Sequence, residues 1–377
     1  MDTPGVSKCV ELKADVIHNT FRRLIILLVF VSQCSLFYGT IRERVLYYTS
    51  VDQHGDTLTL SGKVSVPDNP SGIILLPHFT IASNNEVPST STIAESKYLR
   101  KDYVLIMPDY IGYGVTRDRV HPYLRGDLTA RNCVDMFFAS WPLLDSMHVA
   151  LPKDTISIVG FSQGGATALW ILKLLEQEYS DRVCVKHCCA GSGPYDVAAT
   201  YDYSIQHNKV GMPMIVPMLV MGTSEAYDLD LQRKQFFTAG MDKHYDDYVT
   251  SKKHSFTLLY FLMPSHKVDS WLSTYGADKR NPETGKLYQA LVSSSLVHYP
   301  LDSLAPGQDT LCLSWRPKAS VYVFHSYNDR IVPFVNAEHL QRCWQRMDNV
   351  TFEFGHYGSH LRSNKTFFPL VKKRLRQ

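Results

Sequence analysis

The 377-residue chain has almost no charge imbalance, since 39 lysine and arginine residues are matched by 36 aspartate and glutamate residues, for a formal net charge of +3. Proteins that bind nucleic acid usually show a clear excess of positive charge. The sequence also lacks internal repeats and low-complexity tracts. We therefore expect no nucleic acid partner and a globular fold rather than a repeat architecture.

The chain also lacks paired metal-ligand motifs. Its eight cysteines show no two such motifs at metal-binding spacing, and Cys184, Cys188 and Cys189 lie on an apolar segment that reads as a buried strand. We expect no metal and no organic cofactor. Export would permit disulfide bonds between some of these cysteines, and the sequence does not assign the pairs.

The N-terminal apolar segment, Leu24–Val31, is shorter than the roughly 20 residues that span a bilayer. It follows Arg22 and Arg23, which is the arrangement of an export signal. The end of the segment resembles a bacterial lipoprotein cleavage site with Cys34 as the lipidated residue. We predict that residues 1–40 are an export signal or lipoprotein leader, so the protein is periplasmic, membrane-anchored or secreted. A mis-set start codon and a buried N-terminal helix remain alternatives.

The most informative segment is Asp154–Gly165, which reads as a buried strand, a Gly-x-Ser-x-Gly turn and the start of a helix. A serine in such a turn presents its hydroxyl above the edge of the sheet, and the flanking glycines let neighbouring backbone pass without Cβ clashes. Ser162 is therefore the predicted nucleophile. The alternative is a purely structural strand-turn-helix.

The order of elements predicts an α/β fold with a mostly parallel central sheet flanked by helices. A hairpin over residues 45–67 comes first, and alternating strands and helices then indicate parallel pairing. The predicted later elements are helix 129–148, strand 154–160, helix 163–178, strand 183–190, helix 334–347, strand 350–355 and a terminal helix from about Ser363.

Residues 197–310 interrupt this pattern with helical and loop segments and no clear strand. The insertion falls before the strand that ends at His325, at the carboxyl edge of the sheet where ligands bind in such folds. We predict a helical cap over 197–310, inserted between a first core part (41–196) and a second (311–377).

A serine hydroxyl needs a histidine to take its proton and an acid to orient that histidine. Asp329 lies in the loop after a predicted strand, and we expect it to be the acid, although it could also cap a helix. Asp196 follows the preceding strand and is the alternative acid. His360, directly before the last helix, is the expected base, and His356 is the alternative.

An oxyanion hole needs two backbone N–H groups, one of them from the residue after the nucleophile. That residue is Gln163. The second donor should come from the loop after Leu76, with Phe79 or Thr80 as candidates. An ordinary loop without this role is the alternative.

Taken together, these segments resemble an α/β-hydrolase of the secretory-lipase-like group of exported bacterial esterases, over about residues 45–370. The matching stretches are the loop from His78 to Ser89, Pro108–Gly114, His121–Leu124, Gly160–Gly164, Asp329–Pro333 and His360 before the last helix. The resemblance implies a triad of Ser162, Asp329 and His360 beneath a helical cap. The chain departs from the family at Phe79, where a glycine usually follows the histidine.

The expected function is a serine carboxylic-ester hydrolase that acts on a small-molecule or lipid ester through an acyl-enzyme. His78 and two residues of methionine-rich and aromatic cap clusters, Met218 and Phe261, are candidate substrate contacts. A serine peptidase or amidase would use the same residues, and an inactive binding protein could keep the fold. We expect esters of apolar acids to be preferred.

Overall fold

The computed structural model describes residues 40–299 and 315–376. The chain divides into two units, and the fold given below is that of the second, which begins at Arg42. All of the predicted leader except Thr40, and with it Cys34, lies outside the described residues. Within them, no helix combines the length and the apolar character needed to cross a membrane.

The second unit is built on an eight-stranded mixed sheet in the order β1-β2-β4-β3-β5-β6-β7-β8. β2 pairs antiparallel with β4, and every pairing from β4 through β3 to β8 is parallel. The predicted mostly parallel sheet is therefore confirmed. The strands are β1 Ile41–Val51, β2 Thr57–Pro67, β3 Ile73–Leu75, β4 Val104–Pro108, β5 Thr155–Phe161, β6 Cys184–Gly191, β7 Ser320–Ser326 and β8 Val350–Gly355.

The central strands are nearly continuous apolar runs because helices cover both faces of the sheet. All residues of β3 and β4 are buried, and Ile73 pairs with both Val104 and Ile156 in adjacent strands. Cys188 and Cys189 on β6 are buried and free, as expected for core residues, whereas Cys184 at the start of the strand is exposed, so its predicted burial is wrong.

The helices outside the β6–β7 connection are α1 Ser96–Leu99, α2 Gly126–Ala139, α3 Trp141–Ser146, α4 Gln163–Glu178, α12 Val335–Trp344 and α13 His360–Arg374. The single helix predicted over 129–148 is wrong in detail, because the chain forms α2 and α3 with a break at Ser140. Pro142 lies at the start of α3, where its missing N–H is tolerated, whereas inside a helix it would clash with the preceding turn. The last helix begins at His360, earlier than predicted.

The described part of the connection between β6 and β7 is helical, with a single isolated bridge between Phe237 and Leu272. Its α-helices are α5 Val197–Gln206, α6 Ile215–Ala226, α7 Arg233–Phe236, α8 Ala239–Tyr245, α9 Phe256–Leu262, α10 Thr274–Ala277 and α11 Pro282–Ser293. They share a hydrophobic cluster that includes Met212, Met241 and Leu259 and also takes in Ala82, Tyr123 and Leu124 from outside the connection. We call the described residues 197–299 the inserted helices.

Candidate active site

Ser162 occupies a strained turn between β5 and α4. Its backbone has φ 57° and ψ −125°, a combination that residues with a side chain rarely adopt. The turn is closed by backbone bonds from Ser162 N–H to Gly191 O at 2.8 Å and from Gly165 N–H to Ser162 O at 2.9 Å. A Cβ atom on Gly164 would lie 2.2 Å from Pro77 O, so glycine is required at that position. The local geometry is that of a nucleophile elbow.

Asp329 and His360 are hydrogen-bonded to each other. Asp329 Oδ2 lies 2.5 Å from His360 Nδ1, and Oδ1 accepts the N–H groups of Ile331 and Val332, both at 2.9 Å. Asp329 follows the end of β7, while His360 is the first residue of α13 and is 4% exposed. The carboxylate thus fixes the imidazole with Nδ1 protonated, which leaves Nε2 as the basic nitrogen.

The Asp329 carboxyl stays ionised despite its burial. Burial alone would raise its pKa, but the charge and hydrogen bond of His360, helped by His325, lower the pKa of Asp329 overall. His325 Nε2 lies 3.7 Å from Asp329 Oδ2 and 3.0 Å from Val332 O. A buried negative charge beside His360 favours the imidazolium that forms when the histidine takes a proton.

Ser162 and His360 line the same cavity, whose volume is about 450 Å³. The Phe161 ring lies 5.0 Å from the His360 ring, centroid to centroid, at the back of this site. The inserted helices contribute Ile215 and Phe256 to its wall. The remaining lining residues are Phe79, Thr80, Ala94, Lys97, Tyr98, Phe161, Ile331, Leu361, Asn364 and Lys365. We call this space the Ser162 cavity.

The two candidates for the second oxyanion donor differ in their hydrogen bonding. The Phe79 N–H donates to Glu95 Oε1 at 2.8 Å and is therefore occupied. The Thr80 side chain bonds the Tyr123 hydroxyl at 2.8 Å. The backbone N–H groups of Thr80 and Gln163 make no hydrogen bond to any residue that the structure describes.

The side chain of Gln163 is held by His121. His121 Nδ1 lies 2.7 Å from Ile111 O, and Nε2 lies 2.8 Å from Gln163 Nε2. Burial lowers the pKa of His121 to about 3, so the ring is neutral at pH 7. The Nδ1–H therefore donates to Ile111, and Nε2 accepts from the Gln163 amide.

No protein-family model matches the sequence. A candidate hydrolase from Legionella pneumophila has a solved structure that aligns over 90% of both chains, with a TM-score of 0.75 and 20% identity. The rice cell wall degrading esterase LipA from Xanthomonas oryzae aligns over 89% of this chain and 88% of its own, with a TM-score of 0.72 and 20% identity. Candida antarctica lipase A aligns over 85% and 74%, with a TM-score of 0.62 and 16% identity.

The chain has the α/β-hydrolase fold. The resemblance inferred from the sequence is thus confirmed at the level of the fold. In sequence, the secreted triacylglycerol lipase LIP5 of Malassezia furfur is 24% identical over 264 residues, which is 70% of this chain. The match spans 62% of the length of that lipase.

Within this α/β-hydrolase fold, Asp196 and His356 bond to residues other than Asp329 and His360. Asp196 is the N-cap of α5 and accepts the Ala199 N–H at 2.8 Å, together with His298 Nδ1 at 3.0 Å and His339 Nδ1 at 2.8 Å. His356 is exposed, and its Nδ1 bonds Asn328 Oδ1 at 2.8 Å. The helix-cap alternative for Asp329 does not hold either, because α12 begins only at Val335.

The structure does not place the three candidate substrate contacts on the Ser162 cavity. His78 is buried, with Nδ1 2.6 Å from Phe79 O and its ring 4.0 Å from that of Tyr110. Met218 lines a second cavity of about 330 Å³. Phe261 is 69% exposed on α9, whereas Phe256 at the start of the same helix lines the Ser162 cavity.

Sequence reasoning assigned no role to Glu95, His121 or Tyr123, all of which contact residues of the predicted oxyanion hole. The segment His121–Leu124 was part of the family resemblance, so the sequence already pointed to His121 and Tyr123 but not to Glu95. The described residues contain no group of three or more histidine, cysteine, aspartate or glutamate side chains that could hold a metal ion.

Proposed function

We propose that the protein is a serine hydrolase that cleaves carboxylic esters through an acyl-enzyme. His360 Nε2 takes the Ser162 proton, and Ser162 Oγ attacks the ester carbonyl. The N–H groups of Gln163 and Thr80 stabilise the oxyanion as charge develops. The His360 imidazolium then protonates the leaving alcohol, and neutral His360 activates water to release the acid.

The observation that carries this proposal is the 2.5 Å hydrogen bond between Asp329 and His360, with His360 lining the same cavity as the strained Ser162. An acid that orients a histidine beside an elbow serine is the arrangement that acyl transfer requires. It follows the chain order serine, aspartate, histidine of this fold.

The proteins similar to this chain include an esterase and two lipases, which supports an ester as the substrate. The walls of the Ser162 cavity add a physical argument. Phe79, Phe161, Ile215 and Phe256 present apolar surface around the serine. Such a wall should favour an apolar acid, supplied as a small-molecule or lipid ester, over a charged one.

The test uses the intact protein with a fluorophosphonate probe and a series of aryl esters of increasing acyl length. We expect covalent labelling of Ser162, ester turnover, and the loss of both in Ser162→Ala. The Ser162→Ala protein should keep the melting temperature of the wild type, which excludes unfolding as the cause. Labelling at another serine, or none on folded wild-type protein, would contradict the proposal.

We also propose that the protein is exported. Cys343 is disulfide-bonded, and structural disulfides persist mainly in oxidising compartments. The similar LIP5 lipase is described as secreted.

We further propose a lipid anchor at Cys34. The wild-type protein should then be retained in a membrane fraction, and Cys34→Ala should release it. Unchanged membrane retention of Cys34→Ala would contradict the anchor.

A further inference from the structure

Glu95 is a buried carboxyl that the reaction described above does not use. It is 0% exposed and lies immediately before α1. Its Oε1 accepts the Phe79 N–H at 2.8 Å, and its buried Oε2 has no hydrogen-bond partner in the described part of the chain. Burying a carboxyl with one oxygen unpaired is costly, so such a group in a native fold calls for a physical reason.

Glu95 lies directly behind the wall of the Ser162 cavity. Its chain neighbours Ala94, Lys97 and Tyr98 line that cavity, as do Phe79 and Thr80 from the loop after β3. The Glu95–Phe79 bond therefore joins two segments of the same wall. Removing it would free the loop that faces the serine.

The peptide group between His78 and Phe79 is held at both of its polar atoms. Its N–H donates to Glu95, and its carbonyl oxygen, His78 O, accepts the Tyr110 hydroxyl at 3.0 Å. This peptide group cannot rotate without breaking one of these bonds.

The next peptide group is oriented by the same arrangement. Its carbonyl oxygen, Phe79 O, lies 2.6 Å from His78 Nδ1 in the buried interior. In a planar trans peptide the N–H points opposite to the C=O. The Thr80 N–H therefore points away from His78, and Thr80 itself lines the Ser162 cavity.

From this geometry we infer that Glu95 is a positioning residue for the oxyanion hole. It withdraws the Phe79 N–H from the site and fixes the loop so that Thr80, not Phe79, supplies the second donor. The inference rests on the proposed ester hydrolysis. It also accounts for the tolerance of Phe79 at a position where the resembling family has glycine, since the Phe79 N–H is not the donor.

The experiment compares Glu95→Ala and Glu95→Gln in the full chain. Glu95→Ala should lower kcat by about 10²- to 10³-fold, the usual loss for one oxyanion donor, while KM changes by less than about threefold. Glu95→Gln should recover most of kcat, because an amide oxygen can still accept the Phe79 N–H. Affinity for an arylboronic acid, which forms a tetrahedral adduct with the serine, should fall in parallel with kcat.

Glu176→Ala is the matched control. Like Glu95, Glu176 accepts backbone N–H groups from a distant segment, since its Oε1 lies 2.9 Å from the nitrogens of both Lys318 and Ala319, but it lies outside the described lining of the Ser162 cavity. This variant should lose thermal stability and keep kcat. If Glu95→Ala does not fold, Glu95→Met, which fills the space without a carboxyl oxygen, takes its place.

A folded Glu95→Ala or Glu95→Met protein with kcat and boronate affinity within threefold of wild type would overturn the inference. Equal damage in Glu95→Gln and Glu95→Ala would overturn it as well. Both results leave the proposed function intact, because the wild type still hydrolyses esters. A folded wild type that hydrolyses no ester would contradict the proposed function and, with it, this inference.

Discussion

Two buried aspartate–histidine clusters lie after neighbouring parallel strands of the same sheet. Asp196 follows β6 and binds His298 and His339, whereas Asp329 follows β7 and binds His360. In both, burial alone would raise the aspartate pKa, and histidine hydrogen bonds lower it overall. A perturbed carboxyl beside histidine therefore does not by itself identify an active site.

The clusters differ in what surrounds the histidine. His360 shares a cavity with Ser162, while the Asp196 carboxylate is saturated by two histidines and the N–H groups of Ala199 and Tyr299. The first arrangement is the one that the proposed acid and base require. The second joins the start of α5 to α12 and to the segment after α11, which is a structural role.

Among the variants that test this comparison, His360→Ala should have the largest effect on activity. We expect a loss of about 10³- to 10⁶-fold in kcat, because members of a triad act as one unit. His356→Ala is the matched control, since His356 is exposed and bonds Asn328; it should keep most of the rate in the same aryl ester assay. The reverse ranking would transfer the base to His356.

The two aspartates can be compared directly. Asp329→Asn should lower kcat by about 10⁴-fold with little change in stability, because the amide no longer enforces the required histidine tautomer. Asp196→Ala should instead lower the free energy of unfolding by about 3–5 kcal/mol, the usual cost of breaking a buried pair. Chemical denaturation and steady-state kinetics measure both. A large kcat loss in folded Asp196→Ala would contradict a purely structural role for Asp196.

Two phenylalanines of α9 test whether a residue that lines the Ser162 cavity contributes to substrate binding. Phe256→Asp should raise KM for esters of apolar acids by about tenfold with a smaller effect on kcat, as expected for lost uniform binding. Phe261→Asp changes the same residue type on the same helix at an exposed position and should leave KM unchanged. Equal KM values for the two variants would contradict a substrate contact at Phe256.

Glu95 is a buried carboxyl that bonds none of the described histidines, and burial raises its pKa from 4.5 to about 7. Between these values the unfolded chain loses its proton while the folded chain retains it, so stability falls as pH rises from about 4.5 to about 7. Relative to Glu95→Gln, wild type should lose on the order of 3 kcal/mol over this range. Denaturation curves at several pH values check this, and a pH-independent difference would contradict the raised pKa.

The sequence predicted the elements around the site well because chain order and local pattern determine them. The Ser162 elbow depends on neighbouring residues, and the loop after β7 and the start of α13 follow from the alternation of strands and helices. In the structure, Asp329 and His360 bond to each other, whereas His356 bonds Asn328 and Asp196 bonds two other histidines. The sequence left both alternatives open because hydrogen-bond partners far apart in the chain cannot be read from a local pattern.

The remaining features depend on contacts between residues far apart in the chain. That Glu95 takes the Phe79 N–H, or that His121 holds Gln163, follows from packing and not from any short pattern. The residues that line the Ser162 cavity were harder still to predict. Met218 and Phe256 both belong to apolar runs of the inserted helices, and only their placement shows that Phe256 lines the Ser162 cavity.

The most direct test of the account is whether ester turnover acylates Ser162. Turnover of an aryl ester can be quenched in acid and the protein analysed by intact mass and peptide mapping. We predict one added acyl group on the peptide that contains Ser162 in wild type, with neither adduct nor hydrolysis in Ser162→Ala. Continued ester hydrolysis by folded Ser162→Ala, or an acyl group on a different residue, would contradict the account.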